Sequence, residues 1–505
     1  MNGDHISRRD FLGAAAAGVA VGCRPRGPAN PGRTDAELVE LGAVEAVAAL
    51  RAGELTAETY AKALLGRCEA GKPLNAFITL EPARVLEAAR EADRRRSSGA
   101  TLGDLHGLPI PIKDSVNTRD YPTTAGTPAL RGFRPREDAP VVRALLGAGA
   151  IVLGKTNIHE LSFGWTSNNL AFGAVHNPYD PRRIPGGSTG GTAAAVAARM
   201  APLGVAEDTE GSIRVPAALC GIAGFRPTTG RYPSTGVAPI SALFDSVGPH
   251  ARSVADLTLF DRVVTGDSTP LTPVALRGIR LGVPRGYYYA DLDPDVDRIV
   301  ADVHRKLREA GVELVEVELP DLARLVGLTT GPIQVHDVMP GLIRYLADSG
   351  APVTFEELVA AASPDVKADF ERYVLPGAKE RVSETVYRAA VDVHLPALRE
   401  MFRRYFAETG VAAIIFPTTQ MPATLIGQTE VEISGKKIPF EAAVSRNIAP
   451  GSTTGLPGLV LPAGLARGLP AAIELDGPAG SDRATLALGL AVERVLGRLP
   501  PPPSR

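Results

Sequence analysis

The chain has 505 residues, 45% of them apolar, so a sizeable core is available and one large α/β sheet can absorb the length. Its 54 basic and 56 acidic residues nearly cancel, which argues against a nucleic-acid partner. Three cysteines exclude a disulfide framework, and His159-Glu160 lacks the second histidine a zinc-binding helix needs, so no metal and no cofactor is expected.

In chain order, Ser7-Arg8-Arg9-Asp10-Phe11-Leu12 precedes an apolar run from Gly13 to Gly22. Together they resemble a twin-arginine export signal, which passes a folded protein across the membrane; an ordinary secretory signal is the alternative. The run is too short to span a bilayer. Cys23 closes AVGC and is a candidate lipidation site and membrane tether, although Ala20 stands where such sites usually carry Leu. The expected divisions are a signal over 1–23, a Pro/Gly-rich linker over 24–35, a folded domain over 36–497 and a Pro-rich tail over 498–505.

Residues 36–70 show helical spacing, with Leu38, Leu41, Val44, Val47 and Leu50 on one face, and Thr56 reads as an N-cap. A helix over 82–98 precedes LPIPIKD (108–114), a short apolar run ending at Lys113. A helix over 138–148 leads to a buried strand over 150–153, and TAAAVAARM forms a helix after a glycine cluster. Residues 279–283 and 312–318 flank a helix over 295–310 as a βαβ-like unit. The stretch 320–410 is helical and less regular; strands follow at 411–423, 455–464 and 469–478, then a helix over 481–496. The alternation predicts an α/β fold, a large sheet covered by helices on both faces.

Two motifs mislead. Gly149-Ala-Ile-Val-Leu-Gly154-Lys155-Thr156 fits a P-loop spacing, but AIVL is a strand interior, not a phosphate-binding loop. Gly186-Gly-Ser188-Thr-Gly190 fits the nucleophile elbow of α/β-hydrolases, yet HNPYDPRRIP, with three prolines, precedes it where a strand is required. A helix does follow, so an α/β-hydrolase using Ser188 stays as an alternative.

Two glycine-flanked serines, Ser188 and Ser212, bracket the Ala-rich helix, and Lys113 lies upstream. A serine nucleophile needs a base and bare N–H groups for an oxyanion, and adjacent glycines let the backbone approach the reacting carbon. The order Lys113 in PIKDS, Ser188 in GGSTGG and Ser212 in DTEGSIR closely resembles the amidase signature family, over about residues 36–497. The resemblance implies that family's fold, built on a large central mixed sheet. It also implies a Ser–Ser–Lys triad: Ser212 as nucleophile, Ser188 as relay across a cis Gly187–Ser188 peptide, Lys113 as terminal base. An unperturbed lysine titrates near ~10.4, and burial beside Ile110, Pro111 and Ile112 would free its amine. Thr209, Glu210, Gly211 and Ser212 are the implied oxyanion donors, with Asp208 and Arg214 bracing the loop. Glu210 and Thr189 depart from the family's commoner residues.

Within the family, residues 225–253 are similar to the mandelamide and indoleacetamide hydrolase branch, which cleaves primary amides of arylacetic acids. Trp165, Phe244, Tyr287, Tyr288 and Tyr289 are equally read as an aromatic pocket or as packing. Glu474 stands where many relatives carry Gln, in what reads as an atypical loop. The expected partners are a small-molecule amide, a membrane through Cys23 and a second copy of the chain. Alternatives are a peptide or acylamide amidase, an amidotransferase A-type subunit, or a non-enzymatic relative. A Cys68–Cys220 disulfide is left open.

Overall fold

The computed structural model describes residues 32–503, so the expectations for the signal and for Cys23 lie outside the described residues. Asp35–Arg505 forms one compact unit. Its frame is an eleven-stranded sheet: β1 (Phe77–Leu80), β2 (Pro109–Lys113), β3 (Ile151–Thr156), β4 (Leu203–Asp208), β5 (Ala223–Arg226), β6 (Ser246–Ala251), β7 (Arg280–Gly282), β8 (Glu313–Val315), β9 (Ala413–Pro417), β10 (Gly458–Ala466) and β11 (Leu469–Asp476). Their order is β1-β3-β2-β4-β6-β5-β10-β11-β9-β7-β8. β2 runs parallel to β3 and β4, and β7 parallel to β8 and β9; the other pairs are antiparallel. Every residue of β4, β6 and β11 is buried, so both faces of the sheet's middle are covered.

β2 shows how local sequence sets the geometry. Proline has no N–H to give a ladder, and PIPIK has two prolines. β2 accordingly pairs along its length with β3 through a register shift at Ile110/Pro111, while Ile112↔Val205 is its one register pair with β4. That pair sets the carboxyl ends of two parallel strands side by side. Lys113 ends one and Asp208 the other, and such ends are where open α/β sheets place ligands.

The structure changes several expectations. The stretch 36–70 is three helices, Asp35–Glu40, Ala43–Ala52 and Ala57–Ala70. Gly42 caps the second of them with extended backbone, which breaks the common face and leaves Val44 exposed. Thr56 caps the third as expected, its hydroxyl accepting from the Thr59 N–H at 3.1 Å. The region from 320 contains a helix of 28 residues, Leu322–Ser349, with Pro332 and Pro340 inside it. Its buried stripe (Leu322, Leu325, Val326, Ile333, Leu342, Leu346) gains more from packing than the prolines cost. The βαβ-like unit is present, with β7 and β8 parallel around Pro294–Glu309. Cys68 and Cys220 are both free and buried; Cys220 Sγ donates to the Pro185 carbonyl, so no disulfide joins them.

Candidate active site

Lys113 is fully buried at the end of β2. Its Nζ donates to Ser188 Oγ at 2.6 Å and to Glu207 Oε1 at 2.5 Å. Burial lowers its pKa, and the charge of Glu207 opposes that shift. Glu207, on β4, also accepts from Ser162 Oγ at 2.6 Å and from Ser115 Oγ at 3.3 Å.

Ser188 sits just ahead of the buried helix Gly190–Ala197. Its carbonyl accepts from Ser167 Oγ and from the His159 N–H, each at 3.1 Å, and the Gly187–Ser188 peptide is cis. Glycine is required at 187 because a Cβ there would lie 2.7 Å from Thr166 N and from the Trp165 carbonyl carbon. Thr189 turns inward, its hydroxyl donating to the Glu207 carbonyl at 3.1 Å.

Ser212 follows β4 in a loop held by the buried Asp208. That carboxylate accepts from Gly211 N–H at 2.7 Å, Ile213 N–H at 3.0 Å and Arg214 Nε at 3.2 Å. Burial pushes Asp208 up, but Arg214 and Arg226 outweigh it and hold the carboxyl at about 2. The bracing pair is therefore present. Gly211 is a correction: its N–H is given to Asp208, which leaves Thr209, Glu210 and Ser212 as the oxyanion donors to consider. Gly211 has φ 97°, and a Cβ there would strike Ile448. No hydrogen bond joins Ser188 Oγ to Ser212 Oγ among the described residues.

Ser212 opens onto a cavity of about 820 Å³, lined also by Phe163, Trp165, Glu210, Tyr287 and Gln334. Of the five aromatic residues singled out in the sequence, Trp165 and Tyr287 line it. Phe244 and Tyr288 are core residues, and Tyr289 donates to the Ile415 carbonyl. Glu210 accepts from Gln334 Nε2 at 2.7 Å, and its carbonyl accepts from the Trp165 indole N–H at 2.8 Å. Burial raises its carboxyl to about 7, against the Gln334 bond. Thr209 Oγ1 donates to Asp245 at 2.6 Å, and burial, then the Glu207 charge, raises Asp245 to about 7.

These observations dispose of both misleading motifs. Lys155 lies within β3, fully buried, donating to Thr123 Oγ1 at 2.7 Å and paired with Asp114 at 3.5 Å, out of reach of any phosphate. No strand precedes Ser188, and the described histidines do not serve it: His250 Nε2 donates to the Ile213 carbonyl, and His304 meets Tyr289.

Comparison with known proteins gives the family. The Amidase family model matches residues 60–486. The chain belongs to the amidase family. It is therefore an enzyme that hydrolyses amide C–N bonds. Indoleacetamide hydrolase of Agrobacterium vitis is 39% identical over 450 residues, 88% of this chain and 95% of that protein. Mandelamide hydrolase of Pseudomonas putida is 39% identical over 481 residues, 92% and 93% of the two chains. A crystal structure of an amidase superposes with a TM-score of 0.81 at 31% identity, covering 90% of this amidase and all of that chain.

Sequence reasoning missed four residues of this amidase's site. Glu207, Asp245 and Gln334 come from separate elements, and Ser162 lies on a short turn at Glu160–Ser162. Only Glu207 left a trace, as an acid at the end of the apolar run Leu203–Ala206. Glu474 needs a correction as well. It is on β11, not in a loop, and its buried carboxylate accepts from Arg214 Nη1 at 2.7 Å. It helps fix the nucleophile loop and does not face substrate.

Proposed function

We propose that this amidase hydrolyses a primary, aryl-type amide to the acid and ammonia through an acyl-Ser212 intermediate. Ser212 Oγ attacks the amide carbon, and its proton passes through Ser188 to the Lys113 amine. Thr209, Glu210 and Ser212 N–H groups stabilise the oxyanion, each donor worth on the order of 10²–10³ in turnover. The proton returns to the leaving nitrogen, which departs as ammonia; water then repeats the cycle and frees the acid. The 2.6 Å bond from buried Lys113 to Ser188 carries the reading, because it sets the amine within proton-transfer distance of that hydroxyl.

Trp165 and Tyr287, which line the cavity onto which Ser212 opens, favour an aromatic acyl group, as do the names of the indoleacetamide and mandelamide hydrolases it resembles. Loss of the ring costs on the order of 1–3 kcal/mol, roughly 10–200-fold. Phenylacetamide and indoleacetamide should therefore exceed acetamide in kcat/KM by at least about tenfold. Equal rates for acetamide, or faster hydrolysis of a C-terminally amidated peptide, would overturn the substrate assignment. Ser212→Ala should abolish hydrolysis and fluorophosphonate labelling, and Lys113→Ala should lose several orders of magnitude.

The same reading extends to the leader. SRRDFL and its apolar run direct export of the folded enzyme, which acts outside the cytoplasm, where a tRNA amidotransferase would have no substrate. Cys23 as a lipid anchor and self-association as a dimer complete the proposal; membrane fractionation of Cys23→Ala and the sedimentation of the wild type test them.

A further inference from the structure

Glu207 is the feature of the site that the triad does not use. It is 3% exposed and lies on β4 beside a lysine with no solvent contact. Three donors converge on one oxygen, Oε1: Lys113 at 2.5 Å, Ser162 at 2.6 Å and Ser115 at 3.3 Å. They come from β2, the turn after it and the Glu160–Ser162 turn, so the carboxylate ties three elements to the lysine. A second hold acts through the backbone, where Thr189, the residue after Ser188, donates to the Glu207 carbonyl.

We propose that Glu207 is a positioning residue that fixes the Lys113 amine against Ser188 and supplies the countercharge for the proton Lys113 takes up in each turnover. The inference rests on the Ser–Ser–Lys reading above. When Ser212 attacks, its proton ends on Lys113 through Ser188, and an ammonium forms on a side chain that has no surface exposed to solvent. A buried, unpaired ammonium is costly, and an adjacent carboxylate offsets that cost. The proton moves on from Lys113 to the leaving nitrogen. The hydroxyls of Ser115 and Ser162 donate to the same carboxylate oxygen and hold it in place beside the lysine.

Other ionisable groups face this pair. Asp208 is held ionised by its arginines; His159 and His250 are held neutral by burial, both at about 4. None of these changes charge near neutral pH. Asp245, bonded to Thr209, titrates at about 7, and so does Glu210 at the cavity wall. Removing the carboxylate charge takes away the interaction that opposes burial at Lys113.

The test is the pH profile of kcat/KM for an aryl amide in the full chain. Glu207→Gln keeps an oxygen acceptor but no charge. The acid limb should move down by about 1–3 pH units, and the plateau should fall at least about tenfold because the amine is a weaker base. A lower plateau with an unmoved limb would mean Glu207 is only structural, and overturns the proposal. Loss of the acid limb in Asp245→Asn would assign that limb to Asp245 and overturns it too. If Glu207→Gln does not fold, Glu207→Asp decides: the charge is kept, so the limb should stay within about half a unit while kcat falls, and a limb moved as far as a charge loss predicts refutes the idea. Lys113→Ala is measured alongside. Near wild-type turnover there would sink the triad itself, whereas an inactive Lys113→Ala with an unmoved Glu207→Gln limb sinks only the role of Glu207.

Discussion

Glu474→Gln should stabilise this amidase, and increasingly so as pH rises. Behind the nucleophile loop, the guanidiniums of Arg214 and Arg226 face three buried carboxyls: Asp208, Glu474 and Asp476. Glu474 Oε2 and both Asp476 oxygens receive no hydrogen bond from the described protein donors. Burial, then the Glu474 charge, raises Asp476 well above the usual carboxylate range. The two acids therefore hold one proton between them, which also balances the charge of the cluster. A raised carboxyl pKa stabilises the fold fully below the unfolded value, near ~3.9, and that stability is lost as pH rises through the folded value. The variant keeps an acceptor for Arg214 and removes the Glu474 charge, which after burial is the main cause raising Asp476, so two cations face two anions and the hold on the proton weakens. Where the wild type keeps its proton and the variant has none, the difference in unfolding free energy grows by about 1.4 kcal/mol per pH unit. From about pH 6 to about pH 8 that is about 3 kcal/mol, large against a typical stability of about 5–15 kcal/mol. Urea unfolding followed by the fluorescence of Trp165, the single tryptophan, measures it at both pH values. Groups common to both proteins cancel in the difference. Parallel pH–stability curves, or a variant that loses stability relative to wild type as pH rises, would refute the reasoning.

Other substitutions probe the site directly. Gly187→Ala places a methyl group 2.7 Å from main-chain atoms of Trp165 and Thr166, so it should displace Ser188 and lower kcat by about 100-fold; wild-type turnover would show that this contact relaxes at no cost. Glu210 deprotonates at about 7 beside the oxyanion, so kcat/KM for a neutral aryl amide should fall above that pH, and Glu210→Gln should abolish the fall; an unchanged alkaline limb rejects the assignment. Arg8→Lys with Arg9→Lys should retain activity in the cytoplasmic fraction, and undiminished activity outside the cytoplasm would point to another export route.

Much of the site was legible because its chemistry is local in sequence. Lys113, Ser188, Asp208, Ser212 and Arg214 each stand in a short motif whose glycines and flanking apolar residues are dictated by backbone geometry. The same holds for strands such as β10 and β11, whose apolar runs and turn residues mark them at short range. What depends on long-range placement was hidden. β1, β4, β5 and β6 carried no distinct signal; they became strands because the sheet completes their hydrogen bonds. Val44 fitted a helical stripe, yet Gly42 turned it outward. The oxyanion loop read as four equivalent donors until the fold brought Asp208 onto the Gly211 N–H. Glu207, Asp245, Gln334 and Glu474 looked like ordinary polar residues. Their roles exist only where distant strands and helices bury them beside a partner, since an interaction of charges depends on separation and dielectric, and neither is written in the order of residues. The sequence by itself determined the chemical groups and the turns that present them; the tertiary structure decided which of those groups meet, which are desolvated, and therefore which carry charge.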